Sequence, residues 1–298
     1  MSLIAIAYFA IAFALSWGGV LFVIGGPDAI PGNASEMDRL FPLAYIAMLA
    51  GPPVAGVLLT ALVHGPAGLR ALRSRLFAWR VGARAYAIAL LSAPLTVLLV
   101  LIGLSIANDA YVPGILKTPD KGTTLLFGLG IGLGAGFFEE LGWTGFAIPE
   151  LRRRLGIFRT GVTLGVLWGL WHFVAVAWGI GDRTGGLPLA LFVLLDELSV
   201  LPVFRVLMVQ LYDRTGSLLV AMLMHASLTA SLIILGPQVS GMRLLIYDMA
   251  LAATLWAVVL ASELISVQPK SRDSSSSGER RWLDACRDSY WAWRVRPH

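Results

Sequence analysis

The chain has 298 residues, of which 57% are hydrophobic and only 14% are charged. A soluble domain carries about 25% charged residues, so this composition excludes an ordinary soluble protein and favours an integral membrane protein. The formal net charge of +5 does not indicate a nucleic-acid partner, because the basic residues lie in short loops and near the C-terminus. The single cysteine, Cys286, excludes an internal disulfide and a cysteine-based metal site.

Apolar runs long enough to cross a bilayer recur along the chain. A hydrocarbon core of ~30 Å requires about 20 helical residues, and Pro/Gly-rich or charged intervals separate the runs. The predicted spans are roughly 2–24, 42–63, 84–106, 122–148, 160–180, 187–211, 217–236 and 243–266. The first run lacks a basic segment before it, so we interpret it as a retained helix, with a cleaved signal peptide as the alternative. The sequence predicts an all-α integral membrane protein, with about eight transmembrane helices in one bundle over residues 1–266.

Arginine is distributed unequally between the loops. The second and fourth loops hold most of it, as Arg70, Arg73, Arg75, Arg80, Arg152, Arg153, Arg154 and Arg159. Because basic loops stay in the cytoplasm, these loops and both termini are predicted to be cytoplasmic. We therefore expect a multi-pass protein of the inner (plasma) membrane.

Residues 267–298 form a predicted basic tail. Its first part, 267–281 (VQPKSRDSSSSGERR), has the composition of a flexible linker. Trp282, Trp291 and Trp293 then alternate with arginines, as in a segment lying on the inner leaflet; a disordered tail is the alternative.

Span four contains a ladder of small residues. Gly128, Gly132 and Gly136 recur every four residues, a spacing that lets a neighbouring helix approach closely. It is not the spacing of a dinucleotide-binding loop. We interpret it as a helix contact, with substrate passage along bare backbone as the alternative.

Ionisable residues inside spans are costly, at about 2.5–3.5 kcal/mol each at a helix centre, and need a function or a partner. They are Glu139, Glu140, His172, Asp196, Glu197, Arg205 and His225. Counted from the predicted cytoplasmic span ends, Glu139, His172 and His225 lie about 14, 18 and 12 Å deep. We therefore expect these three side chains to meet at one level in the cytoplasmic half, within about 4–8 Å of each other.

Two histidines and a carboxylate can support water chemistry. A buried carboxylate can act as a general base, and imidazole can orient water or donate to an oxyanion. The same residues, Glu139, His172 and His225, could instead hold a divalent metal such as zinc, although there is no HExxH motif. Glu140 is expected to turn partly away, since adjacent residues differ by about 100° around a helix. Asp196 and Glu197 are expected to pair with Arg205.

Three segments on separate spans resemble the CPBP family of intramembrane endopeptidases, the CAAX-protease and bacteriocin-processing group. They are FFEELGWTGFAIPEL (137–151), WGLWHF (168–173) and MLMHASLTA (222–230). The likeness to bacterial members extends over most of the chain up to about residue 235.

Two positions depart from the family's motifs. The Glu pair is followed in the family by Arg, where this chain has Thr144, and the last His is followed by Asn, where it has Thr229. The second motif is matched by Trp168 and His172, with Trp in place of the commoner Phe.

The resemblance implies roles for the matching residues. Glu139 with His172 would activate the attacking water, His225 with Thr229 would form the oxyanion hole, and Glu140 belongs to the same catalytic motif. Family members have been described as metal-dependent and as glutamate-based, and both remain open.

The sequence thus predicts an endopeptidase that cleaves a peptide or membrane-associated protein near the cytoplasmic leaflet. Leader peptides or membrane-protein tails are favoured over prenylated substrates. The alternatives are a catalytically impaired family member that acts as a scaffold or immunity factor, and a proton-coupled transporter using the same cluster. The partners are the substrate and the bilayer; the substrate's identity and the oligomeric state are left open.

Overall fold

The structure is a computed structural model that describes residues 1–181 and 183–267, with side chains described up to Ser262. The predicted tail, residues 267–298, lies outside the described residues except for Val267.

In the part of the chain that the structure describes, eight long helices form one bundle, which confirms the predicted fold class. Their bounds are α1 Leu3–Ile24, α2 Ala34–Leu76, α3 Ala83–Ala107, α4 Lys121–Gly142, α5 Ile157–Gly179, α6 Leu189–Thr215, α7 Leu218–Leu235 and α8 Met242–Val267. Each corresponds to one predicted span, although α2 is much longer than predicted. It begins at an Asn33/Glu36 capping box and continues past a kink at Gly65, where φ is 62°.

Within the described residues, seven of these helices are long and apolar enough to cross a membrane. The exception, α6, carries Asp196, Glu197 and Arg205 along its length. It is nevertheless buried continuously from Val200 to Tyr212. Neighbouring helices rather than lipid therefore surround the second half of α6.

The glycine ladder of α4 packs closely against another helix, as predicted, and the structure shows that this helix is α7. A Cβ added to Gly132 would lie 2.6 Å from the carbonyl oxygen of Ala226, and one added to Gly136 would lie 2.9 Å from the backbone nitrogen of Ala226. Only glycine permits this approach, which carries Glu139 and Glu140 next to α7.

A second glycine ladder joins α5 to α6. Added Cβ atoms on Gly161, Gly165 and Gly169 would meet the α6 backbone or Cβ atoms around Val206, Pro202 and Glu197. The repeat has the same spacing as the first ladder and draws the polar face of α6 onto α5.

Candidate active site

Four of the ionisable residues noted in the sequence form one buried group where α4, α6 and α7 meet. We call Glu139, Glu140, Arg205 and His225 the Glu–His cluster. They are 3%, 0%, 0% and 1% exposed, respectively. Charged groups so far from water require partners of opposite charge or hydrogen bonds, and each of the four has at least one.

Glu140 lies at the centre of this cluster. Arg205 Nη1 is 2.8 Å from both carboxylate oxygens, and His225 Nδ1 is 2.7 Å from Oε1. The hydroxyl of Thr144 donates to Oε2. The expectation that Glu140 turns partly away is therefore wrong. Both glutamates point inward, Glu140 toward Nδ1 of His225 and Glu139 toward Nε2 of the same ring.

Arg205 also corrects a predicted pairing. We expected it to pair with Asp196 and Glu197, which lie two turns earlier on α6, but it pairs with Glu140. Its guanidinium carbon lies 3.9 Å from the ring centroid of Trp168, a cation–π contact shielded from water. The resemblance expects a cation at position 144, and here α6 supplies one to the same glutamate.

Glu139 is held by two indole N–H groups. Trp168 Nε1 donates to Oε2 at 2.8 Å and Trp143 Nε1 donates at 3.2 Å. The other oxygen, Oε1, lies 4.0 Å from Nε2 of His225. Because Trp replaces the commoner Phe at position 168, Glu139 gains a donor that a phenyl ring lacks.

The chain beyond the glutamates widens into a π-helical turn, Trp143–Ala147, before a short helix, Ile148–Arg152. Pro149 has no N–H to donate to the carbonyl of Gly145, and Arg75 of α2 donates to that oxygen instead at 3.0 Å. Such turns recur at functional sites. This one directs Trp143 and Thr144 back onto the two glutamates.

His172 does not join the Glu–His cluster directly. Its Nδ1 is 2.9 Å from the carbonyl oxygen of Trp168 and 3.6 Å from Oε2 of Glu197. Within the described residues no hydrogen bond or ion pair links it to Glu139 or His225. The Trp168 indole contacts both histidine rings, with centroids 5.6 Å from His172 and 4.8 Å from His225.

Oε1 of Glu139 and Nε2 of His225 are 4.0 Å apart, as predicted. His172 lies about 22 Å from the Ile157 end of α5, and Glu139 lies about 20 Å from Arg152 at the end of its own span, so the two are at similar depths. The approach of His172 to the other two side chains stays a prediction.

Thr229 lies one helical turn after His225 on α7 and is partly buried. No hydrogen bond of its hydroxyl is found among the described residues. The spacing places both side chains on one face of the helix, as predicted from the sequence.

The candidate metal ligands are not arranged as a metal shell. Within the described residues, no three His, Cys, Asp or Glu side chains are grouped to hold a metal ion. The imidazole of His225 already contacts Glu140 through Nδ1, and one oxygen of Glu139 accepts two indole hydrogen bonds. Oε1 of Glu139 and Nε2 of His225 face each other across 4.0 Å, but among the described residues no third acid or histidine completes a metal-binding group with them.

The sequence identifies Arg205 as a candidate residue, but the partner predicted for it is wrong. A signal for its true partner, Glu140, is present in the sequence, because Gly161, Gly165 and Gly169 repeat at the same spacing as the ladder in α4. This ladder requires a helix packed tightly on α5, which brings Arg205 over Trp168 and so to Glu140.

Comparison with known proteins supports the family resemblance. Residues 121–231 match a family model described as type II CAAX prenyl endopeptidase Rce1-like. This range extends from the start of α4 into α7 and includes all five predicted catalytic residues. A relative named CAAX prenyl protease 2, from Methanococcus maripaludis, is 46% identical over 39 residues. The aligned segment covers 13% of this chain and 14% of the relative's length. Both matches agree with the predicted family resemblance over this part of the chain.

Proposed function

We propose that this chain, which resembles the Rce1-like family over residues 121–231, is an intramembrane endopeptidase that hydrolyses a peptide bond with water activated by a glutamate. The substrate is a peptide or a membrane-associated protein. The proposal rests on the Glu–His cluster. The carboxylate of Glu139 and the imidazole of His225 lie 4.0 Å apart and are shielded from bulk water. Each belongs to one of the segments that resemble the family's motifs.

Glu139 is the proposed general base. Its Oε2 is held by Trp143 and Trp168, which leaves Oε1 free to accept a proton. A water molecule beside Oε1 would lose a proton to it as the water oxygen bonds to the scissile carbonyl carbon. The same proton would then pass to the leaving amine as the C–N bond breaks.

His225 is the proposed donor to the oxyanion. When Glu140 is ionised it can only accept, so the proton of this contact lies on His225 Nδ1. We propose that in the transition state the ring also carries a proton on Nε2 and donates a hydrogen bond from it to the developing negative charge. Thr229, on the same face of α7, would supply a second donor through its hydroxyl.

His172 is proposed to help position the water or the substrate. Its Nδ1–H donates to the carbonyl of Trp168, so the neutral ring leaves Nε2 as an acceptor. Its side chain is 21% exposed, against 2% for that of His225. It is therefore the more accessible of the two histidines.

The test is proteolysis of a peptide library by the purified full chain, with and without a chelator. We expect cleavage that the chelator leaves unchanged, because the candidate ligands are not arranged as a metal shell. Glu139→Gln should abolish cleavage. Glu150→Gln is the matched control, since Glu150 is a buried glutamate of the same segment that pairs with His64 instead. Full activity in Glu139→Gln would refute the proposed base, and activity lost to chelation and restored by zinc would refute the metal-free mechanism.

We further propose that the protein lies in the plasma membrane with both termini cytoplasmic. The Arg-rich loops support this orientation. His225 lies about 10 Å from the Arg-rich end of α7, so cleavage would occur in the cytoplasmic half of the bilayer. A C-terminal reporter that is active only outside the cytoplasm would overturn the orientation.

A non-catalytic scaffold is the second candidate, and Thr229 is the observation that favours it. Threonine reaches less far than the asparagine of the family motif, and loss of one oxyanion donor costs about 2.7–4 kcal/mol in other hydrolases. The departure at Thr144 no longer favours this candidate, because Arg205 braces Glu140 from another helix. Absence of cleavage in the native chain and in Thr229→Asn alike would favour the scaffold.

A further inference from the structure

A cavity of about 650 Å³ lies between α6, α7 and α8. Its rim is formed by Arg183 and residues 236–240, in the loops at the Arg-poor face. On α6 the lining residues reach Leu201, one helical turn before Arg205. The cavity therefore extends from the loops to within about 6 Å of the proposed catalytic level, measured along that helix.

Carboxylates dominate the polar part of the cavity wall. Asp196, Glu197 and Asp248 line it, whereas Arg183 is the single basic residue among the described lining residues. The Arg183 guanidinium donates to the carbonyls of Gly179 and Ile180, at the C-terminal end of α5. Within the described residues, no lysine or arginine forms an ion pair with these three acids.

The acids also lie close to one another. The carboxyl groups of Asp196 and Asp248 lie close enough to interact directly, and Oε2 of Glu197 is 3.6 Å from Nδ1 of His172. Three acidic groups on one apolar wall repel each other when they ionise. A cation between them would relieve that repulsion.

Unsatisfied polar atoms give an independent indication of a ligand. The hydroxyl of Tyr247 and Oδ2 of Asp248 have no hydrogen-bond partner among the described residues. The two residues are 2% and 6% exposed, and both line the cavity. Buried polar groups are almost always hydrogen-bonded, so orphans on a cavity wall indicate a partner that occupies the cavity.

We propose that this cavity binds a positively charged side chain of the substrate, the ammonium of lysine or the guanidinium of arginine, close to the bond that is cleaved. This inference rests on the proposed peptidase function and adds the substrate class to it. An ammonium offers three donors, which match Asp196, Asp248 and the Tyr247 hydroxyl.

The shape of the site favours an organic cation over a metal ion. Within the described residues no acidic or histidine triplet has the arrangement of a metal site. The remaining wall is apolar and comes from α6, α7 and α8, as Val200, Leu201, Leu232, Ile233 and Leu244. Such a wall suits the aliphatic stem of lysine or arginine, whose charged end reaches the polar groups.

The test compares acetylated and amidated peptides that differ at a single position, with lysine or norleucine, scanned along the peptide. Two quantities are measured with the full chain in detergent: kcat/KM for cleavage, and equilibrium binding to Glu139→Gln. At one position we expect lysine to be preferred at least about tenfold in both, as hydrogen bonds to a charged group provide. Asp248→Asn should remove most of that preference. Asp109→Asn, an exposed acid in the loop between α3 and α4, should leave it unchanged.

Asp196→Asn repeats the test if Asp248→Asn fails to fold. The inference is overturned if cleavage shows no preference for lysine at any position, or if folded Asp248→Asn and Asp196→Asn both keep the preference; the peptidase proposal would survive either result. It is also overturned if Ca²⁺ or Zn²⁺ alone displaces the bound peptide. If nothing is cleaved but binding depends on lysine and on Asp248, the peptidase proposal fails and the cation site stands.

Discussion

Replacement of Arg205 by methionine tests the central contact of the Glu–His cluster. Methionine keeps much of the length of the side chain but removes the guanidinium that lies 2.8 Å from both oxygens of Glu140. Both residues are completely buried, so no bulk water can replace the lost partner. Breaking a buried pair from one side costs about 3–5 kcal/mol, and the lost stacking on Trp168 adds to this cost.

The free energy of unfolding in detergent micelles is the quantity to measure. We expect Arg205→Met to lower it by about 3–5 kcal/mol. Arg153→Met is the control, because the Arg153 side chain is 55% exposed and its nearest carboxylate, Glu150, is 3.5 Å away. Because the arginine of this pair is open to solvent, the pair should contribute only about 0–1 kcal/mol.

A double substitution separates the ion pair from other effects of the arginine. In Arg205→Met with Glu140→Gln, no uncompensated charge remains, so the pair of changes should cost less than the sum of the single changes by about 1–3 kcal/mol. If Arg205→Met costs less than about 1 kcal/mol, or if the two changes are additive, Arg205 is not the partner that stabilises Glu140.

Three further predictions follow from the same packing. Thr144→Arg introduces the residue of the family motif. It should lower the free energy of unfolding of the native chain, because it places a second cation against Arg205, but should be tolerated in Arg205→Met. An equal loss of unfolding free energy in the two backgrounds would contradict this. Gly136→Ala should lower the unfolding free energy by about 1–3 kcal/mol by forcing α4 and α7 apart, whereas Gly130→Ala, whose added Cβ meets nothing within 4 Å, should be neutral or stabilising. Thr229→Asn should hold or raise kcat of peptide cleavage and Thr229→Val should lower kcat more than it raises KM; the proposed oxyanion contact is wrong if Thr229→Val leaves kcat unchanged.

The helices and much of the cluster could be predicted from the sequence because the membrane makes both signals strong. A bilayer fixes the length of apolar runs, and an ionisable residue inside such a run is costly unless it has a function or a partner. Glu139, Glu140 and His225 are therefore recognisable from their positions alone. The glycine spacing of α4 likewise predicted a close helix contact, and the structure identifies α7 as the partner.

The pairings could not be predicted because they depend on how helices rotate against one another. Depth along a helix follows from counting residues, but the direction of a side chain depends on packing. Glu140 was expected to turn away because it neighbours Glu139, yet His225 lies between the two and contacts Glu140 through the opposite ring nitrogen. The partners of Arg205 and His172 differ from expectation for the same reason, since the α5–α6 ladder sets their rotation.

The polar character of α6 has a consequence for how the protein is made. At about 2.5–3.5 kcal/mol for each charged residue near a helix centre, Asp196, Glu197 and Arg205 would oppose transfer of this segment alone from the translocon into lipid. Their partners lie on other helices: Glu140 precedes α6 in the chain, as does His172, but Asp248 follows it on α8. Insertion of α6 should therefore depend on helices α4 and α5 being already present beside the translocon, and Asp196 should meet Asp248 only after α8 has been synthesised.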